Sequence, residues 1–470
     1  MLKRVKLCRG ECQLKFGILT LGCDKNTADS EYYAAELAKQ GVQTVAVEAE
    51  PVAGDEMLNG VIINTCGFIE SSKSQSVAAI LDWARLKKTL IRKHRSFRLY
   101  VVGCLSQRYA TELPKELPEV DGWLGVGDWR KIPQLLANES RHAELIDAHP
   151  QMAVCEGQNR IRLDEGKKFY AFLKIGDGCP HNCAFCAIPQ IKGRTQISVP
   201  HEQILREATD LLASGIKELC VVAQDTAAYG RDLYGRNYGL PDLLADLAAL
   251  PVAGEWWIRL LYVYPAGITP KLLDVMASSP RIVPYIDMPL QHTHPEILAA
   301  MRRPDATIDI EAKIKKIRHA LPDVTLRTTF ILGFPGETAE QYRHLENALS
   351  ALRFDRMGSF LYSAEENTDA LFIKPRVAAR IAQSRQNRLM AVQEKFSAES
   401  GLRWKTRTIP VLIEEQIEKN RWIGRGWRDA PEVDGVVIVE AFEPLKAGEF
   451  VQVLITGSDV HDLYGEVVLK

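Results

Sequence analysis

The sequence predicts an α/β protein in three parts: an N-terminal parallel-sheet α/β domain, an incomplete (β/α)6 barrel and a small C-terminal antiparallel β-barrel. Three observations predict it. Apolar strand-like runs alternate with helical stretches over residues 14–150, and the alternation resumes at Tyr170. From residue 403 the pattern changes to short alternating runs punctuated by Gly, Pro and Asp. The length, 470 residues, is that of about three domains at roughly 150 residues each.

In the first domain, 14–150, strands are read at "KFGILTLGC", "GVIINTCGF" and "RLYVVGC". Between them lie the helical "DSEYYAAELAKQG", stopped at Gly41, and "KSQSVAAILDWARLKK". Apolar strands separated by helices imply a parallel sheet covered on both faces. The polar stretch "NESRHAELIDAHPQMAVCEGQNRIRLDEGKK" reads as a linker. In the second domain, 165–402, strands are read at "YAFLKIG", "ELCVVAQD", "WWIRLLYV", "VPYIDMPL", "TLRTTFILG" and "GSFLYS". Helices fill the intervals; in one of them Thr338 and Gln341 make a capping box. Six βα units fall short of the eight that close a full barrel. A helical pattern from Ile381 to Arg403 leads to the third domain, 403–470. There "TIPVLIEE", "GVVIVE" and "EFVQVLITG" mark a barrel of oligonucleotide-binding type.

Composition narrows the function classes. Hydrophobic residues make up 46% and charged residues 25%, enough apolar mass for several cores. The net charge of −1 advertises no nucleic-acid partner. No apolar run approaches membrane-spanning length, and the first residues lack a signal-peptide core. The expected setting is therefore cytoplasmic, with no membrane partner. Ten cysteines in a reducing compartment read as metal ligands, catalytic groups or buried thiols.

Three of them crowd into "GCPHNCAFCAIPQIKG": Cys179, Cys183 and Cys186, spaced C-x3-C-x2-C. A structural zinc site takes four ligands, usually as two pairs. His181 lies inside the loop, and Cys155 and Cys220 are distant in sequence. An iron–sulfur cubane held by three thiolates leaves one iron open, which is what catalysis uses. The loop begins just past "YAFLKIG", at the carboxyl end of a barrel strand, where barrel enzymes place their chemistry. The competing reading is a zinc-stabilised, non-catalytic protein that binds RNA or the ribosome.

A second trio is dispersed. Cys23, Cys66 and Cys104 each stand at the carboxyl end of a predicted parallel strand, and ligand crevices of open α/β sheets lie outside those ends. Singly, each would read as a small buried residue; their matched placement points to a second cluster. Cys220 reads as core, Cys155 as linker, and Cys8 and Cys12 precede the first strand without further ligands.

C-x3-C-x-aromatic-C, with Phe185 as the aromatic, resembles the radical S-adenosylmethionine enzymes. Two three-cysteine sites followed by a small β-barrel resemble the methylthiotransferases of that superfamily, over nearly the whole chain. The resemblance implies an N-terminal cluster domain, a radical S-adenosylmethionine barrel and a TRAM domain. It implies two 4Fe-4S clusters, the second an auxiliary cluster linked to the sulfur. S-adenosylmethionine would act as radical source and as methyl donor, with an external electron donor. The reaction implied replaces an unactivated C–H hydrogen with a methylthio group.

"LGCDKNTADSE", "AQDTAAYG", "YVYP" and "YIDMPLQHTHPEIL" are similar to the branch that modifies an aspartate β-carbon in small-subunit ribosomal protein number twelve, free or in the ribosome. They differ from the branch acting on tRNA adenosine. Two positions depart from the pattern of the branch that modifies the ribosomal protein: Asp24 stands where proline is usual, and Leu261 where histidine is usual before "YVYP". In 403–470 the acidic side chains, among them Glu414, Glu432, Glu440 and Glu466, outnumber Lys and Arg. That suits a basic protein better than RNA; a merely solvated surface is the other reading.

The resemblance also implies cofactor contacts at Gln224, Asp225 and Thr226, near the amino group, and at Gly333 in "ILGFPGE", beside the adenine. Loop capping by Asp and Thr, or a plain βα turn, would look the same. Gln291 and His292 are read as turn hydrogen-bonders that could also touch substrate or cofactor. Trp256 and Trp257 are read as barrel packing. The sequence carries no nucleophile motif, no phosphate loop and no paired general acid and base.

Overall fold

Six short strands of the N-terminal part pair into one sheet in the computed structural model, which describes residues 14–127, 129–137, 143–146, 160–164 and 166–468. Cys8, Cys12 and Cys155 lie outside the described residues. The strands are β1 (Lys15–Thr20), β2 (Gln43–Ala46), β3 (Gly60–Thr65), β4 (Arg98–Gly103), β5 (Gly122–Leu124) and β6 (Ala143–Leu145). Every pairing is parallel, in the order β2-β1-β3-β4-β5-β6. All six residues of β3 are buried, as a strand covered on both faces requires. The order reverses between β1 and β3, so the crevice of this sheet opens at their carboxyl ends. The helix Glu70–Arg92 buries Ser76, Ala79, Ile80, Trp83, Lys87 and Leu90 on one stripe, and Trp83 packs fully buried among Leu19, Ile63, Leu99 and Val101.

β2, β5 and β6 are not evident in the sequence, because three or four residues carry no usable periodicity. β6 lies inside the segment that reads as a linker. The end of that segment also packs back, where Arg160 and Arg162 pair with the buried Glu31.

The chain forms two compact units. The first takes in residues up to Gly166 together with Asp177–Pro180 and Ala187–Ile197; the second takes in the rest. In the second, β7 (Tyr170–Lys174), β8 (Glu218–Val222), β9 (Trp257–Leu260), β10 (Ile282–Asp287), β11 (Thr325–Leu332) and β12 (Arg356–Leu361) pair in sequence order, all parallel. These are the six strands expected. The capping box is present: Thr338 Oγ1 accepts from Gln341 N–H at 3.2 Å, and Gln341 Oε1 from Thr338 N–H at 2.9 Å. The long helix spans Ala379–Leu402. After it β13 (Thr408–Glu418), β14 (Arg421–Gly426), β15 (Val437–Glu440), β16 (Phe450–Ser458) and β17 (Leu463–Val467) close into a barrel. Among the described residues no helix is long and apolar enough to cross a membrane.

The small barrel packs on the six-stranded sheet within this unit. Tyr170, Phe172, Cys220, Trp257 and Tyr285 form one apolar cluster with Leu412, Ala430, Trp427 and Phe450. Trp257 and Phe450 stand edge to face at 4.6 Å, and Trp256 is buried under Arg281. Inside this seam the fully buried Glu218 receives both Arg259 and Arg425. Arg356 pairs with Asp429, and Tyr285 donates to Asp434. Three of the tail's acids, Glu414, Asp429 and Asp434, are therefore bound inside the unit, while Glu432 pairs with Lys168 at the surface. Glu415, Glu418, Glu440, Glu443, Asp459 and Glu466 remain exposed. The acidic face is smaller than the sequence count implies.

Burial alone would push the Glu218 carboxyl up, but Arg259 and Arg425 outweigh it and hold it below its usual value of 4.5. Its contribution to stability is complete above that value and is lost as the pH falls through the folded value. Glu218→Gln leaves Arg259 without its carboxylate and Arg425 with Glu414 alone, and should cost about 3–5 kcal/mol, read as an earlier urea midpoint at neutral pH. The difference from wild type should shrink in acid.

Candidate metal centres

β1, β3 and β4 are neighbours in a parallel sheet, so their carboxyl ends stand side by side. At roughly 4.8 Å per strand the three ends span about 10 Å, the scale of a cluster rather than of one ion. Cys66 and Cys104 follow β3 and β4 directly. Cys23 stands three residues past β1, at the N-cap position of the helix Asp24–Ala38. Two glycines let the turns close on one another. Gly22 has φ +101°, and a Cβ there would come within 2.7 Å of Cys66 Cβ; Gly103, at φ +95°, would put one 2.4 Å from Asn64 Oδ1.

Asn26 ties these turns together. Its side-chain amide donates to Leu21 O at 2.7 Å and Thr65 O at 3.1 Å, and its Oδ1 lies 4.0 Å from Cys104 Sγ. Asn64 Nδ2 donates to Asn26 O at 2.9 Å, and Thr65 Oγ1 donates to Val102 O at 2.6 Å. Sequence reasoning missed Asn26; its one signal is its place three residues after Cys23 in "LGCDKNTADSE". Burial pushes the Cys66 thiol up, and Cys23 adds to the push. Burial likewise pushes Cys104 up to about 12; Lys192 opposes this, while Cys23, Cys66 and Asp177 add to it. The three thiols thus lie within electrostatic range of one another. Cys23 is exposed and Cys104 buried, so the site opens on the Cys23 side.

Of the central trio, Cys179 falls in the first unit, and Cys183 and Cys186 in the second. Cys183 Sγ lies 3.3 Å from Tyr264 Oη. The Tyr264 ring is 4.1 Å from the His181 ring and 4.1 Å from the Arg303 guanidinium. His181 Nε2 is 2.8 Å from Asp225 Oδ2, while Asp225 Oδ1 accepts Ala227 N–H at 3.1 Å. Ala184 N–H donates to Met301 O, Ala184 O accepts from Ala370 N–H, and Phe185 packs against the Met301–Phe334 cluster. The cysteine loop is therefore held to the barrel at both sides of Cys183.

Of the cofactor candidates, Thr226 donates to Leu261 O at 2.6 Å, and Asp225 joins capping to an anchor on the cysteine loop. Gln224 Oε1 is buried without a protein hydrogen-bond partner. Gly333 N–H donates to Glu337 at 2.5 Å, and its missing side chain makes room for Ala382 of the long helix. Gln291 is left-handed, φ +69°, as is Tyr262, φ +59°; strained non-glycine residues at the carboxyl ends of β10 and β9 are a mark of functional rims. His292 Nδ1 accepts His294 N–H at 2.9 Å, and burial pulls the ring's pKa down to about 3, so it is neutral.

Each trio offers sulfur donors alone, a set that selects iron–sulfur chemistry or zinc. Among the described residues no three His, Cys, Asp or Glu side chains are gathered closely enough for a single metal ion. For Cys23, Cys66 and Cys104 the donor set and the strand-end spacing fit a cluster.

Family models match in three places: "Uncharacterized protein family UPF0004" over residues 15–125, "Radical SAM superfamily" over 173–349 and "TRAM domain" over 407–468. These matches define a radical S-adenosylmethionine enzyme with a TRAM domain. The ribosomal protein uS12 methylthiotransferase RimO of Desulfitobacterium hafniense is 40% identical, covering 97% of this chain and 98% of the relative. That of Thermoanaerobacter sp. is 41% identical, covering 96% and 99%. The chain belongs to the RimO family of methylthiotransferases. In fold it is similar to the radical S-adenosylmethionine methyltransferase TsrM of Kitasatospora setae, with TM-score 0.54 at 14% identity over 74% of this chain and 73% of that one. The cobalamin-dependent S-adenosylmethionine radical enzyme OxsB gives 0.52 at 12% identity, over 81% and 56%.

Gly22→Ala drives a methyl group into Cys66, and Asn26→Ala frees the turns on which the trio stands. Each should lower the iron and sulfide bound on anaerobic reconstitution by about half relative to the wild type, as loss of one of two clusters would. Asn26→Ala should also cost about 1–3 kcal/mol for the backbone carbonyls it leaves unpaired.

Proposed function

We propose that this chain transfers a methylthio group to the β-carbon of an aspartate in ribosomal protein uS12. The observation that carries the proposal is the pair of sulfur-only trios at strand carboxyl ends, in a chain whose relatives named for uS12 match it nearly end to end. Cys179, Cys183 and Cys186 would hold one 4Fe-4S cluster with an iron left for S-adenosylmethionine. Cys23, Cys66 and Cys104 would hold a second, beside which the sulfur is supplied. The working divisions are 14–150, 165–402 and 403–470, and the setting is the cytoplasm, where ribosomal protein is made and used.

When bound, S-adenosylmethionine would supply both the radical that removes a substrate hydrogen and, separately, the methyl group donated to the product. The chain's own residues hold and shield. His181, Asp225 and Tyr264 fix the cysteine loop, and Phe185 and Phe334 keep water from its barrel side. The buried Gln224 Oε1 is an acceptor for the cofactor's ammonium group. The exposed acids of the small barrel offer charge to a basic protein and repel phosphates, which disfavours tRNA. Electrons come from an external donor.

Changing Cys179, Cys183 and Cys186 together to Ala should abolish reductive cleavage of S-adenosylmethionine while the absorption of the N-terminal cluster persists. Deleting the gene should remove the methylthio mass from uS12 in intact-protein mass spectrometry, with tRNA nucleosides unchanged. Loss from tRNA alone would reject the substrate.

A further inference from the structure

A buried cation that the ligand sets leave unused lies near each cysteine trio. In the first unit it is Lys192, whose side chain is 4% exposed, with Nζ 3.0 Å from Asp177 Oδ2 and 3.7 Å from Asp29 Oδ2. It directly follows the turn of helix Ile188–Ile191, and Ile191 packs with Ala187 and Val126 against Cys104. Burial first, and then Asp29, Cys104 and Asp177, push the Tyr33 phenol up, while Lys192 opposes them. In the second unit the cation is Arg303, 5% exposed. It lies over the Tyr264 ring, whose hydroxyl is 3.3 Å from Cys183 Sγ, donates to Pro289 O at 2.9 Å and pairs with Asp305 at 3.1 Å.

A cluster on three thiolates is already anionic, and reducing it adds one electron to a desolvated site. A fixed cation beside a ligand sulfur favours that electron. We propose that Lys192 and Arg303 set the reduction potentials of the two clusters, Lys192 at Cys23, Cys66 and Cys104, and Arg303 at Cys179, Cys183 and Cys186. The proposal rests on the cluster assignment above. The alternative is that each is only a buried ion pair whose loss costs stability, and stability and potential are measured separately.

The test is a potentiometric titration with dithionite, followed by electron paramagnetic resonance of the reduced clusters in the full-length reconstituted chain. The background with Cys179, Cys183 and Cys186 changed to Ala isolates the first cluster; the matching change of Cys23, Cys66 and Cys104 isolates the second. Lys192→Met should move only the first midpoint to lower potential, and Arg303→Gln only the second; Lys192→Arg and Arg303→Lys should restore them. If a charge-removing variant loses iron, the opposite change decides. Asp29→Asn and Asp305→Asn remove a counter-charge and should raise the respective midpoints. Unmoved midpoints in iron-replete variants, or equal shifts in both clusters, would overturn the proposal. Iron and sulfide are counted first in the wild type; a chain with one cluster sinks the assignment itself, and the claim for the missing site falls with it.

Discussion

Parallel pairing is the constraint on which the rest depends. A parallel sheet sends every strand's carboxyl end to the same edge, so residues that follow different strands meet there however far apart they are in the chain. Cys23, Cys66 and Cys104 have that relation to β1, β3 and β4. In the six-stranded sheet the cysteine loop, Asp225, Tyr264, Gln291 and Gly333 likewise follow successive strands. An antiparallel sheet of the same composition would scatter them to two edges. The glycines matter because of this crowding: turns from adjacent strands must pass within van der Waals distance, and at Gly22 a methyl group would occupy the space of Cys66.

Beneath both rims the sheets are apolar cores, and several of the polar side chains buried in them are tied to partners. Asn26 exchanges hydrogen bonds with three turns; His181 and Asp225 brace one loop; Thr226 caps the end of β9. Such networks hold donors at set positions because a half-made network in a desolvated site is costly. The same logic governs the seam under the small barrel, where Glu218 lies between two arginines. Acids that the sequence offers as a docking face are partly spent there, holding the two barrels of this unit to each other.

Legibility in the sequence followed the length scale of the signal. The six barrel strands, the long helix, the Thr338–Gln341 capping box and the closed terminal barrel were readable, because each imposes a period or a local hydrogen bond on neighbouring residues. β2, β5 and β6 were not, being too short to show a period. The linker's return to Glu31 through Arg160 and Arg162 was not either, since charge pairs distant in sequence leave no pattern.

The cysteine types and spacings, the βα alternation and the resemblance to a family were determined by the sequence itself, since thiolate chemistry and side-chain periodicity are local properties. Tertiary structure alone decided that Asn26 gathers the first trio's turns. It alone decided that Lys192 follows an isoleucine packed on Cys104, that Arg303 covers the tyrosine ring Cys183 meets, and that half-hidden acids are not a surface. Those outcomes depend on which distant segments share a desolvated volume, and no local pattern encodes that.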